Sequence, residues 1–190
     1  MLHTVSLKKF KPLTVNLKNG TEVMIREAVI QDAPDLIRCI RSYISENPFQ
    51  VMEPEEFAPE IGQGREFIDG FLQRDNSILL VATDREQIVG NFDITGGRRR
   101  RMKHTGLVGA GILKQYQGLG LGKALFSAGI DWARQHPDLR KLWLQIIADN
   151  EQALGLYRHL GFVEEGRQRD FIYEGDGIYR DNLLMSLEVG

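Results

Sequence analysis

Cysteine is almost missing from this chain of 190 residues: Cys39 stands alone, which excludes a disulfide framework and fits a reducing compartment. No stretch approaches the roughly 18 consecutive apolar residues of a membrane span, and the N-terminal Met-Leu-His-Thr-Val-Ser-Leu-Lys-Lys-Phe lacks the apolar centre of a signal peptide. Charge of one sign is missing as well. The formal net charge is −2, so nothing global draws the chain to nucleic acid or to an anionic membrane. Internal repeats, low-complexity tracts and a recognisable linker are also lacking. With 42% hydrophobic residues the chain can bury a sizeable core, and its length favours one domain over 1–190, with 1–20 an N-terminal extension leading into the first strand. A cytoplasmic, soluble protein is the expectation.

What is present alternates between strand and helix patterns. Leu13, Val15 and Leu17, then Val23 and Ile25, flank Asn19-Gly20, a strong hairpin signal. Between Gln31 and Tyr43, the residues Leu36, Cys39, Ile40 and Tyr43 recur at helical spacing, and on that stripe Cys39 reads as core rather than as a nucleophile. Residues 46–64 lack periodicity and carry Pro48, Pro54, Pro59 and the acids Glu53, Glu55, Glu56 and Glu60. This reads as a long loop, either a solvated acidic segment or a cover that favours a cationic ligand. A short amphipathic helix over 65–74 follows, then an antiparallel pair over 77–83 and 88–95, in which Asn91, Asp93 and Thr95 share one face. Arg98 to Arg101 could grip nucleic acid, an acidic substrate or a ligand phosphate, but without interleaved aromatics they read first as a solvated hairpin tip. Later come a short apolar strand over 142–147, a helix capped by Asp149 or Asn150 and ended at Gly161, and a hairpin over 162–189 turning at 174–177.

Between these lies the stretch that organises the rest. An apolar strand over 106–113 runs into Gln117-Gly118-Leu119-Gly120-Leu121-Gly122-Lys123, and a helical stripe of Leu121, Leu125, Ala128 and Trp132 begins there. Alternate glycines remove Cβ atoms and permit positive φ, so several N–H groups can face one anion. The first turn of the helix adds unsatisfied donors and the positive end of its dipole, which suits a phosphate or diphosphate. A P-loop fails on spacing, with Gln117 in place of its first glycine and Ala124 in place of its hydroxyl; a dinucleotide fingerprint fails because Lys123 occupies its last glycine position.

Gln117-x-x-Gly120-x-Gly122 resembles the diphosphate-binding motif of the GNAT N-acetyltransferases, Arg/Gln-x-x-Gly-x-Gly/Ala. Leu144 to Phe162 resembles that family's next segment: an apolar strand, Asn150-x-x-Ala153, Leu156-Tyr157, then Leu160-Gly161-Phe162. The resemblance covers residues 23–187. It implies an α/β (α+β) GNAT fold: a mixed, mostly antiparallel sheet of about seven strands whose central two splay apart, with about four helices. It implies acetyl-CoA as donor, with no metal, and a primary amine of a small molecule or a peptide as acceptor. The main chain at Ile112 and Leu113 would pair with the pantetheine amides. Gln117, Gly118, Leu119, Gly120, Leu121, Gly122 and Lys123 would hold the diphosphate, and Asn150 would bond the cofactor arm or cap its helix.

Tyr157 falls where many members carry the acid that protonates the leaving thiolate; an ordinary core tyrosine is the other reading. The base is less legible. Leu107 and Gln145 stand where relatives carry glutamate, leaving Asp93, Glu56 and His104 as candidates beside a water relay. Direct transfer in a ternary complex is expected, with an acyl-CoA-binding module that lacks catalysis as the alternative. Binding to nucleic acid or membrane is not expected, and a homodimer is left open.

Overall fold

The computed structural model describes residues 10–190; the first part of the expected N-terminal extension lies outside them. Eight strands form one sheet: β1 (Leu13–Asn16), β2 (Glu22–Glu27), β3 (Ile78–Asp84), β4 (Gln87–Gly96), β5 (Thr105–Ile112), β6 (Lys141–Ile147), β7 (Val163–Gly175) and β8 (Ile178–Glu188). Their order is β1-β2-β3-β4-β5-β6-β8-β7, antiparallel everywhere except between β5 and β6. The helices are α1 (Ala33–Glu46), α2 (Ile61–Leu72), α3 (Leu121–Gln135) and α4 (Glu151–His159). A mostly antiparallel sheet with four helices matches the expected class. The sheet has eight strands where about seven were expected.

Strand alternation divides the helices between two faces. Phe92 of β4 packs its ring where Gly129 of α3 has no side chain, so even-numbered positions of β4 face α3. Odd-numbered positions face α1, where the Tyr43 ring fills the place of a side chain at Gly111 of β5. Phe92, Ile94, Leu121, Leu125 and Leu142 are fully buried between the sheet and α3. Phe126 joins them in edge contact with Phe92, at 4.9 Å between ring centroids.

The aperiodic segment is shorter than the sequence suggests. The second helix begins at Ile61 rather than at Arg65, with Gln63 accepting the Glu60 N–H at 2.8 Å. Gly62 and Gly64 obscure that start, since both disfavour helix; yet Gly64 is required where α2 crosses α1, because a Cβ there would meet Ile37 Cδ1 at 2.7 Å. Arg98 to Arg101 form an exposed tip between β4 and β5. They make no ion pair among the described residues, in line with the solvated reading. No helix among the described residues is long and apolar enough to cross a membrane.

Candidate active site

β5 and β6 are paired only at Thr105↔Lys141, Gly106↔Leu142 and Leu107↔Trp143. Beyond that point β5 stays with β4 as far as Ile112, while β6 stays with β8 as far as Ile147, so a V-shaped gap opens between them. Two bonds fix which main-chain groups face it. Leu113 N–H donates to Val89 O at 3.0 Å and Ala148 N–H to Asp181 O at 2.9 Å. Antiparallel alternation then turns Ala110 and Ile112 on one side, and Gln145 and Ile147 on the other, into the gap. Leu113 does not join them: its N–H is taken by Val89 and its carbonyl accepts from Tyr116 N at 2.8 Å. Of the two residues expected to pair with a pantetheine arm, only Ile112 is turned toward the gap.

At the wide end of the gap sits the Gly-rich turn. Gly118 has φ +70° and Gly120, the N-cap of α3, has φ +98°; only glycine adopts these without strain, and an added Cβ would meet nothing at either. The first helical bond runs from Ala124 N to Gly120 O, and Gln117 N–H is spent on Lys114 O. The intervening N–H groups, residues 118 to 123, have no acceptor among the described residues. Six successive free amides at the positive end of a helix form a concave donor set for a polyanion. The turn is held from outside: Lys18 N–H bonds Leu119 O at 3.1 Å, the Tyr116 hydroxyl donates to Asp84 Oδ2 at 2.8 Å, and Gln117 Nε2 donates to Ile112 O at 3.0 Å. Gly122 is the close-approach position, with Ile112 and Leu156 both 3.4 Å from where its Cβ would stand. Lys123 is exposed, and its Nζ lies 3.0 Å from His159 Nε2 at the end of α4.

Asn150 caps α4, its Oδ1 accepting Ala153 N–H at 3.2 Å, so Asn150 rather than Asp149 is the cap. Its Nδ2 has no partner among the described residues and remains available to a ligand. Tyr157 packs between α3 and α4, at 5.1 Å from the Phe126 ring and 5.9 Å from Phe162. Its hydroxyl has no hydrogen-bond partner among the described residues, and burial pushes the phenol up to about 12, so it keeps its proton at neutral pH.

On the α1 face, Asp93 lies opposite Gly109 of β5, and a Cβ at Gly109 would meet Asp93 Oδ1 at 2.6 Å. The carboxylate therefore leans across β5 through space that only glycine leaves open. Burial pushes Asp93 up to about 6, opposed by a hydrogen bond from Thr95 Oγ1 at 3.4 Å. Asn91, opposite Gly111, is 4% exposed, and its Oδ1 is a buried polar atom with no partner among the described residues. The Tyr43 phenol is held well above its ordinary range by burial, with the nearby Cys39 and Asp93 adding to the effect. Cys39 is buried and pushed up to about 12, which suits its reading as core.

The other base candidates are not brought to this place. Glu56 is exposed, and its Oε2 accepts Glu53 N–H at 2.9 Å. His104 is exposed just before β5, at the closed end of the V. Sequence reasoning missed Tyr43, Asn91, Gly109 and Gly111. The signal was an alternation, Asn91-x-Asp93 in one strand and Gly109-x-Gly111 in the next, whose meaning depends on a cross-strand register.

The model of the acetyltransferase (GNAT) family matches residues 39–162. A curated relative, the N-alpha-acetyltransferase of Sulfurisphaera tokodaii, is 26% identical over 162 residues, covering 85% of this chain and 93% of its own. Among solved structures, a GNAT-family acetyltransferase from Streptococcus pneumoniae superposes with a TM-score of 0.85 at 31% identity, over 88% of this chain and 99% of its own. A phosphinothricin acetyltransferase from Sinorhizobium meliloti in complex with acetyl-CoA has the same fold, with a TM-score of 0.76 at 19% identity over 88% of this chain and 89% of its own. With the splayed strands and the free amides of the Gly-rich turn in place, the chain belongs to the GNAT family of acetyltransferases.

Proposed function

We propose that this protein transfers the acetyl group of acetyl-CoA to a primary amine, of a small molecule or a protein N-terminus, by direct attack in a ternary complex. The observation that carries the reading is the run of six unpaired N–H groups over 118–123 at the mouth of the β5–β6 gap. These amides, with Lys123, match a diphosphate in charge and curvature. The gap-facing main chain of Ala110, the Ile112 N–H, whose carbonyl is already taken by Gln117 Nε2, and Asn150 Nδ2 supply hydrogen bonds for the amide-bearing arm. Leu113 is left out of this set because its main-chain groups are spent.

The chemistry follows from what stands on the two sides of the gap. Asp93, on the α1 face, takes a proton from the acceptor nitrogen; a carboxyl near 6 is ionised at neutral pH yet more basic than an exposed one. The nitrogen lone pair attacks the thioester carbonyl carbon, the C–S bond breaks, the sulfur receives the Tyr157 proton, and the second proton that the nitrogen sheds as it becomes an amide returns to the Tyr157 oxygen through solvent. Tyr157 suits this because a phenol held up to about 12 is still protonated when the thiolate forms. Glu56 is a weaker candidate for the base, since it is exposed and turned to a local amide. The relative named as an N-alpha-acetyltransferase supports catalysis over an acyl-CoA-binding module. The whole chain is read as one domain at work in the cytoplasm.

The test is thiol release from acetyl-CoA against a panel of peptides, polyamines and amino acids. Turnover with at least one amine is expected. Tight CoA binding with no release on any amine would favour the module.

A further inference from the structure

On the α1 face the sheet continues past the gap as a floor in which Ile147, Asn182 and Ser186 are buried while Leu107 and Gln145 reach the surface. Direct pairing puts Trp143 with Ser186, Gln145 with Leu184, Ile147 with Asn182, and Asn182 with Gln168 on that face. Leu107 is 36% exposed there and Gln145 is exposed. In the middle sits Asn182, 3% exposed, whose Nδ2 donates to Gln168 Oε1 at 2.6 Å and to Gln145 Oε1 at 3.4 Å. One buried amide thus holds both glutamine carbonyls, and the Nε2 groups of Gln145 and Gln168 have no acceptor among the described residues. The two cations that the register places on this face are already engaged: Lys141 with Glu165, and Arg180 with Glu174 at 3.2 Å, the guanidinium lying 5.6 Å above the Phe49 ring.

We infer that this floor binds the first residues of a peptide, with Gln145 and Gln168 donating to its backbone carbonyls while its α-amine reaches Asp93. The inference rests on the acetyltransferase reading and narrows its acceptor. Four uncharged N–H donors around Asn182 want neutral acceptors, which a peptide main chain carries at every residue. A polyamine has donors and positive charge but no acceptor, so the glutamine donors would be buried unpaired beneath it, and its distal ammonium groups find Glu165 and Glu174 already paired. A free amino acid brings a carboxylate, which favours charged donors, and neither Lys141 nor Arg180 is free to supply one.

The experiment compares kcat/KM at saturating acetyl-CoA for a C-terminally amidated Ala-Ala-Ala-Ala peptide, alanine and spermidine, in the wild type and in Gln168→Glu. Glutamate keeps the oxygen that Asn182 grips and removes the donor, so the fold is preserved while the proposed contact is lost. The peptide is expected to exceed the other two by about 100-fold, and Gln168→Glu to raise its KM about tenfold without changing the KM for acetyl-CoA. Gln168→Leu, checked for folding by circular dichroism, should raise peptide KM likewise. Spermidine or alanine used as well as the peptide, or a peptide KM unmoved in both variants, overturns the inference while leaving the acetyltransferase intact. Loss of thiol release with every amine would take down both.

Discussion

Replacing Asp93 with asparagine separates catalysis from stability, because one burial produces opposite effects on the two. The carboxyl is raised from an ordinary value near 4 to about 6 by desolvation. Between those values the native state binds more protons than the unfolded chain, so stability falls as pH rises from about 4 to 6 and stays low above. A rise of that size corresponds to roughly 3 kcal/mol at most. The asparagine side chain does not ionise, so Asp93→Asn should melt higher than the wild type at pH 8, each kcal/mol being worth about 2–4 °C in a chain of this size, and should match it near pH 4. Activity should move the other way. A lost general base costs about 10²–10⁴ in kcat, and the ascending limb of kcat against pH near 6 should vanish. Calorimetric melts at pH 4 and 8, together with pH–rate profiles, check both. Full activity in Asp93→Asn, or a variant that melts lower at pH 8, would refute the assignment of a buried ionised base.

Tyr157→Phe should lower kcat about 100-fold while CoA affinity and melting temperature hold, since the hydroxyl has no protein partner among the described residues; stopped-flow thiol release and calorimetry check it. Gly120→Ala meets no neighbour but forces a side chain to φ +98°, a strain of about 1–2 kcal/mol, and should weaken CoA binding measured by calorimetry by about tenfold or more. Gly129→Ala drives a methyl group into the Phe92 ring and should cost about 1–3 kcal/mol in urea unfolding with little change in acceptor KM.

Much of the Gly-rich turn was legible because its conformation is local. Gly118 and Gly120 act through the positive φ of their own backbone, and the helix that follows begins at Leu121 as the apolar stripe implies. The reading of Tyr157 comes from the resemblance to the family segment that follows Asn150, and Asn150 does cap α4. The α1 face of the sheet was not legible, since it depends on which residue of one strand faces which residue of another. Asp93 gains meaning only from Gly109 opposite, and Asn182 only from Gln145 and Gln168 on two further strands. Leu113 is a case of the same kind: whether its N–H faces the gap or Val89 is a matter of ladder phase that sequence does not carry. The start of α2 was hidden by Gly62 and Gly64, where a poor helix former is kept for a helix crossing at Ile37.

The most direct measurement is a ¹⁵N–¹H correlation spectrum recorded as CoA is added. Large shifts should concentrate in the amides of residues 118–123, Ala110 and Ile112, with the Asn150 side-chain amide moving and Leu113 nearly still. Saturable CoA binding that leaves residues 118–123 unmoved would contradict the assignment of the cofactor site.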